Sequence, residues 1–306
     1  MRRLEARLPA AGRIRRFSVL IVVGVLLGAG TWLRTLPATE RPWRLWRTST
    51  MVTLYFTDGN YLVPVSRRMP DSDLPDAAVR ALVAGPIADS GLSSPLPSGI
   101  EVRSISISAG EAYVDFSAAF PTDDEGQETA LNAVVQTLTA LPGVRSVSLS
   151  VEGESLTDSE ERTPLLYFAS PNGLLAVPTA ATDPRQALAS FLEGPPRPEM
   201  GGFPPDVQLR AYEYDAAAGL LALTFSYTDS LEAFALSAPS RVRLQLLGLI
   251  ASLTEFPHVR AVQLDFDGRA RLGMGQCSDL IGTPIRRPAL LNDERMLGRQ
   301  RRQGSR

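Results

Sequence analysis

Apolar positions along this chain recur as a set. Leu131, Val134, Val135, Leu138 and Leu141 follow the spacing of three and four that lays one stripe along a helix. Moved 115 positions downstream, the stripe lands on Leu246, Leu249, Ile250, Leu253 and Phe256. A proline follows each stripe, Pro142 or Pro257, and then a strand pattern of the form Val-Arg-x-Val-x-Leu. Val144, Arg145, Val147 and Leu149 stand there in one copy, Val259, Arg260, Val262 and Leu264 in the other, and the copies close at Gly153 and Gly268. One offset held through helix, break and strand identifies a duplicated module.

Upstream the match continues with small changes of offset. Leu54-Tyr55-Phe56 pairs with Leu166-Tyr167-Phe168, and each opens a hairpin, turning at Asp58-Gly59-Asn60 or at Pro171-Asn172-Gly173. A short helix follows. Asp183 and Pro184 mark its start in the second copy, with Gln186 as the capping-box partner, while Asp73, Pro75 and Asp76 do so less neatly in the first. It stops at Gly85 or Gly194. Two strands then turn at Ala109-Gly110 or Ala218-Gly219, the long helix spans about 122–141 or 239–256, and a last strand spans 145–151 or 260–266. The order ββαββαβ predicts an α+β fold, one sheet per copy with helices on one face. At roughly 110 residues each copy has the size of a domain, which places the first at 51–156 and the second at 164–285.

The flanks differ in kind. Residues 1–16 carry six arginines, and 17–33, from Phe17 to Leu33, contain no charge. Seventeen helical residues reach roughly 25 Å, the short end of a bilayer crossing. The arginine excess before the run predicts a transmembrane anchor with residues 1–16 in the cytoplasm, a linker at 34–50 and the domains outside. The rival reading is a cleaved signal peptide, for which Gly28-Ala29-Gly30 is small enough; the long apolar run and the tryptophans Trp32, Trp43 and Trp46 favour the anchor. Residues 286–306 hold seven arginines and read as a solvated, disordered tail, with contact to anionic lipid or to an acidic partner as the alternatives. Net charge is +8 for 1–47 and +5 for 286–306, so a total of −2 leaves −15 for residues 48–285. A body this acidic repels polyanions, so nucleic acid is excluded as its ligand.

The Leu-Tyr-Phe start, the helix ending at Ala84-Gly85-Pro86 or Glu193-Gly194-Pro195, and the strand Val114-Asp115-Phe116-Ser117 or Leu223-Thr224-Phe225-Ser226 are all seen twice. With the Leu-Pro-x-Val close they resemble the GerMN-domain family, over residues 51–285. That resemblance implies a non-enzymatic, membrane-tethered extracytoplasmic protein of sporulation or spore germination. Its domains would be similar to ring-building folds, with self-association and other envelope proteins, such as a sporulation channel complex, as partners. The apolar anchor departs from the family's best-known members, which are lipoproteins, and so does the arginine-rich tail.

Candidate chemistry is sparse. With one cysteine, one histidine and no lysine, the chain has no intramolecular disulfide, Cys/His zinc cluster or Schiff-base lysine. His258 reads as a solvated loop residue and Cys277 as a small buried or free thiol. Asp115 on a central strand and Asp123, Asp124 and Glu125 at the start of the long helix could form an acid pair in a wall-associated hydrolase or ligand-binding protein. Asp115 becomes Thr224 in the second copy, however, and acids at a helix start suit its dipole. Glu152 and Asp267 before the closing glycines read as turn residues. No catalytic, cofactor-binding or metal-binding residue is therefore assigned; convergence of Asp115, Asp123 and Asp124 on one cleft would favour the hydrolase instead.

Overall fold

A computed structural model of the chain describes residues 49–171, 173–267 and 274–297. The basic segment, the apolar run 17–33 and nearly all of the linker lie outside these residues, and among those described no helix is long and apolar enough to cross a membrane. From Thr50 onward the described residues form one compact unit. The first copy contains β1 (Ser49–Asp58), β2 (Tyr61–Pro70), α1 (Leu74–Val83), β3 (Val102–Ser108), β4 (Glu111–Phe116), α2 (Asp124–Thr139), β5 (Ser146–Val151) and β6 (Glu154–Glu161). The second contains β7 (Leu165–Ser170), β8 (Gly173–Pro178), α3 (Pro184–Glu193), β9 (Leu209–Asp215), β10 (Leu220–Phe225), α4 (Asp229–Ser237), α5 (Pro239–Leu253), β11 (Ala261–Phe266) and β12 (Ile285–Arg286).

The α+β class holds, and the copies share a strand order. One sheet runs β3-β4-β5-β6 and the other β9-β10-β11-β12. In each, an antiparallel pair, a parallel pair and a second antiparallel pair follow in turn. The parallel step needs a long crossover, supplied by α2 in one copy and by α4 with α5 in the other. On β10 and β11 the buried residues alternate, Leu221, Leu223 and Phe225 beside Val262, Leu264 and Phe266, so one face of the sheet meets helices and the other stays open.

The opening hairpins depart from expectation. They join neither of these sheets but pair with each other in a third, β1-β2-β8-β7, with Leu62 opposite Ala176. The reason is compositional: all six residues of β7 are buried, as are Leu54, Tyr55 and Phe56 of β1. Strands without a polar face need cover on both sides, and pooling the two hairpins lets both copies supply it.

The outer strands of this shared sheet are closed by the long helices through equivalent hydroxyls. Tyr55 N donates to Thr137 Oγ1 at 3.2 Å, and Tyr167 N donates to Ser252 Oγ at 2.8 Å. Thr137 and Ser252 stand 115 positions apart. Each satisfies a buried edge amide that would otherwise be costly. Close approach of α5 to β7 needs Gly248, since a Cβ there would run into the Tyr167 carbonyl oxygen.

Two further differences concern segments without apolar alternation. β6 is an additional strand of sequence ESLTDSEE, running past the expected end of the first copy at 156. The expected disordered tail is, as far as residue 297, part of the fold. Ile285 and Arg286 form β12, Leu291, Asn292, Glu294 and Leu297 are buried, and the segment binds the shared sheet. Asn292 Nδ2 donates to the carbonyls of Pro64 and Leu174, its Oδ1 accepts from Leu174 N, and its own carbonyl accepts from Ser66 N. Composition alone suggested solvation; the few buried side chains, Leu291, Asn292, Glu294 and Leu297, lie among arginines and prolines that mask a docked strap.

Candidate functional site

The acids singled out in sequence are not brought together. Asp115 Oδ1, on β4, accepts from Gly153 N and from Ser150 Oγ, both at 2.9 Å, and Arg103 stands 3.5 Å from its other oxygen. The Gly153 amide, above all, holds this carboxyl below its usual range. Asp123 caps α2 by accepting from Gly126 N, and Glu125 accepts from Asn60 Nδ2. The hollow beside Asp115 is lined by Ser104, Tyr113, Ser148 and Asp158, and neither Asp123 nor Asp124 borders it. Glu152 occupies a positive-φ turn, and Asp267 accepts from Tyr227 N. His258 is exposed, with its ring edge-on to Tyr214. Cys277 is buried, which pushes its thiol up and away from the reactive thiolate. Among the described residues no group of three or more His, Cys, Asp or Glu could hold a metal ion.

A different cluster forms where the copies meet. Tyr55 and Tyr167, equivalent residues of β1 and β7, touch hydroxyl to hydroxyl at 2.8 Å. Glu255, at the end of α5, lies beneath them with its side chain 1% exposed. Its carboxylate accepts from Arg162 Nε at 2.7 Å and Nη2 at 2.8 Å, and from the Tyr167 hydroxyl at 2.7 Å. Arg287 Nη2 lies 2.5 Å from the same carboxylate and donates to the Tyr167 hydroxyl, while its Nη1 donates to the Ala251 carbonyl.

The two arginines are equivalent as well. Ser146 pairs with Glu161 and Ala261 with Arg286, so Arg162 and Arg287 each follow the last strand of their copy at the same register. Glu255 breaks the symmetry, because the first copy has Ala140 in its place. Burial would raise the Glu255 carboxyl, but Arg287 and Arg162, with the hydrogen bonds from Arg162 and Tyr167, outweigh it and hold the group below the usual carboxylate range. Burial pushes the Tyr167 phenol well up, with Glu255 adding to it, so it stays a neutral donor. Two guanidiniums face one carboxylate, leaving one positive charge in excess beside an open cleft of about 380 Å³. Thr53, Thr139 and Thr254 line the cleft with Met51, Pro257 and Pro288.

Sequence reading missed this cluster. Arg162 fell between the assigned domains and Arg287 in the supposed tail; only the paired tyrosines, at the start of each matched copy, pointed to it.

The copies correspond to a known family, described as sporulation and spore germination and named Germane, which matches residues 53–157 and 165–271. The chain belongs to the Germane family. A curated relative, the spore germination protein GerM of Bacillus subtilis (strain 168), is 34% identical over 116 residues, covering 34% of this chain and 32% of the relative. The match thus spans about a third of that relative's length. The solved tandem GerMN domains of the sporulation protein GerM from Bacillus subtilis align with 80% of this chain and 99% of theirs, at 20% identity and a TM-score of 0.62. That likeness shows the fold: mixed sheets and helices arranged as tandem GerMN domains. Family membership places the chain among GerM-like proteins, in a family described by sporulation and spore germination.

Proposed function

We propose that this Germane protein is a non-enzymatic assembly module of the cell envelope, anchored by residues 17–33 with its GerMN domains outside the cytoplasm. The observation that carries the reading is the open face and edge of each mixed sheet. Tyr113 and Ile107 of the first are each 44% exposed, and Tyr214 of the second is 39% exposed. Tyr113 lies on the open face and Ile107 and Tyr214 on edge strands, and aromatic and aliphatic groups held on rigid sheets suit contact with another protein. The relatives' names point to sporulation or germination as the setting, and an envelope complex of that stage supplies the partner class. An acidic body facing such a partner favours a lysine- or arginine-rich surface on it, through complementary potentials.

The reading is tested on a strain whose own copy is deleted and replaced by a tagged full-length chain. Sporulation or germination should fail on deletion and return with the replacement, and protease added to intact protoplasts should digest the domains. Domains protected while cytoplasmic markers remain intact would remove the extracytoplasmic placement. Wall-hydrolysing activity lost on Asp115→Asn would replace the assembly role with the hydrolase reading.

A further inference from the structure

We propose that the cleft between the copies is a binding site for a small organic carboxylate, such as the free C-terminus of a short peptide with small apolar side chains. This goes beyond the assembly role, since it rests on the interior junction and not on the open sheet faces.

The charge balance is the first ground. Arg162 and Arg287 share the single carboxylate of Glu255. A partly buried charge is stabilised by pairing, so the second guanidinium calls for an anion that the described residues do not supply here. Donor geometry is the second. Arg162 uses Nε and Nη2, and Arg287 uses both Nη atoms; Arg162 Nη1 and Arg287 Nε have no acceptor among the described residues. Both arginine side chains retain some access to solvent, 21% and 31%, and border the cleft; Glu255 lines it as well, but with its side chain only 1% exposed. An incoming carboxylate thus meets the more open guanidiniums, while the Glu255 carboxylate is already held by Arg162 and Tyr167.

The third ground is the wall. A cleft of about 380 Å³ falls in the range of small-ligand sites, roughly 300–1,000 Å³. Around the arginines it offers threonine hydroxyls at 53, 139 and 254 and the apolar surfaces of Met51, Ala140 and Pro257. Hydroxyls can bond a peptide backbone, and the apolar patches accept methyl-sized side chains. The unused nitrogen of each guanidinium offers a carboxylate oxygen a charge-assisted hydrogen bond, and Tyr167 and Glu255 hold the two guanidiniums in place before any ligand arrives.

The test uses the full-length chain in a non-ionic detergent and titration calorimetry with N-acetyl-trialanine as the free acid and as its C-terminal amide. The acid should bind at one site per chain, with the amide about tenfold weaker or more, since a lost charge-assisted hydrogen bond is worth that much. Arg162→Gln, checked for unchanged circular dichroism, should weaken acid binding by a similar factor. Inorganic phosphate should compete with the acid. Equal binding of acid and amide overturns the proposal, as does absence of saturable acid binding on the wild-type chain, which needs no variant. Phosphate binding without acid binding overturns the carboxylate assignment. Full affinity in a folded Arg162→Gln moves the ligand away from this cleft.

Discussion

Arg67 on β2 and Glu294 in the C-terminal strap are joined at two points across 227 positions of chain, Nε to Oε2 and Nη2 to Oε1, each at 2.8 Å. Glu294 also accepts from the Ile87 amide at 2.5 Å, so one carboxylate ties the strap to the hairpin and to the loop after α1. The first copy is therefore finished by residues that follow the second.

A chain ending at residue 285 should lose far more than a solvated tail would explain. It gives up β12, the Asn292 bonds and the buried Leu291 and Leu297, each apolar side chain alone contributing about 1.5–3 kcal/mol. Urea unfolding should show a drop above about 3 kcal/mol. A midpoint unchanged by the truncation would show the strap to be incidental.

Glu294→Gln, the milder change, should cost about 1–3 kcal/mol, because Arg67 and the Ile87 amide lose a charged acceptor in a partly buried setting. Arg67→Gln combined with it should add little, and a double-mutant cycle measures that coupling. Fully additive effects would mean the two residues do not act as a pair.

Gly248→Ala should destabilise by roughly 1–3 kcal/mol, despite the helix propensity alanine brings, because the added methyl meets the Tyr167 carbonyl and pushes α5 off β7. Ala133, its counterpart 115 positions earlier, shows that the first copy tolerates a Cβ at this place. Thermal melts of Gly248→Ala and Ala133→Gly should both lie below wild type, the first through crowding and the second through lost propensity and packing.

Glu255 gives a pH dependence with a defined sign. Its folded carboxyl lies below the usual range, so its contribution is complete above the unfolded value of about 4.3 and fades as pH falls through the lower folded value. Glu255→Gln should be less stable by about 2 kcal/mol or more at neutral pH, since two partly buried guanidiniums lose their counter-charge. The difference should shrink at pH values below about 4. A gap of constant size from pH 7 to 3, followed by chemical denaturation, would remove the carboxylate from the account.

How far the sequence carried can be seen in the two helices. The stripe from Leu131 to Leu141 placed α2 and, by offset, α5, because an amphipathic helix writes its packing into local spacing. Thr137 and Ser252 lay inside those stripes, yet their role needed the position of β1 and β7, which no local pattern contains. β6 was hidden because its sequence, with six acidic or serine positions exposed toward solvent, alternates nothing apolar. β12 has two residues and sits far beyond its partner β11 in the chain, so no local pattern announces it or the Arg287 that follows. The acid candidates failed for the opposite reason: Asp115 and Asp123 were conspicuous in sequence because turns and helix starts use the same residue types as catalytic pairs.

The shared sheet also sets a timetable for biosynthesis. β2 must wait for β8, about a hundred residues later, which at common elongation rates is an interval on the order of 5–20 s. Throughout it the emerging first copy carries an unpaired edge rich in Leu62, Val63 and Val65, residues buried in the finished protein. Such an edge invites pairing with a neighbouring nascent chain, and the nearest strand of matching kind is β8 of a second molecule. Hairpin exchange between two chains is thus the characteristic way for this architecture to go astray, and the strap that arrives last, locking Ser66 and Leu174 through Asn292, seals the intramolecular choice.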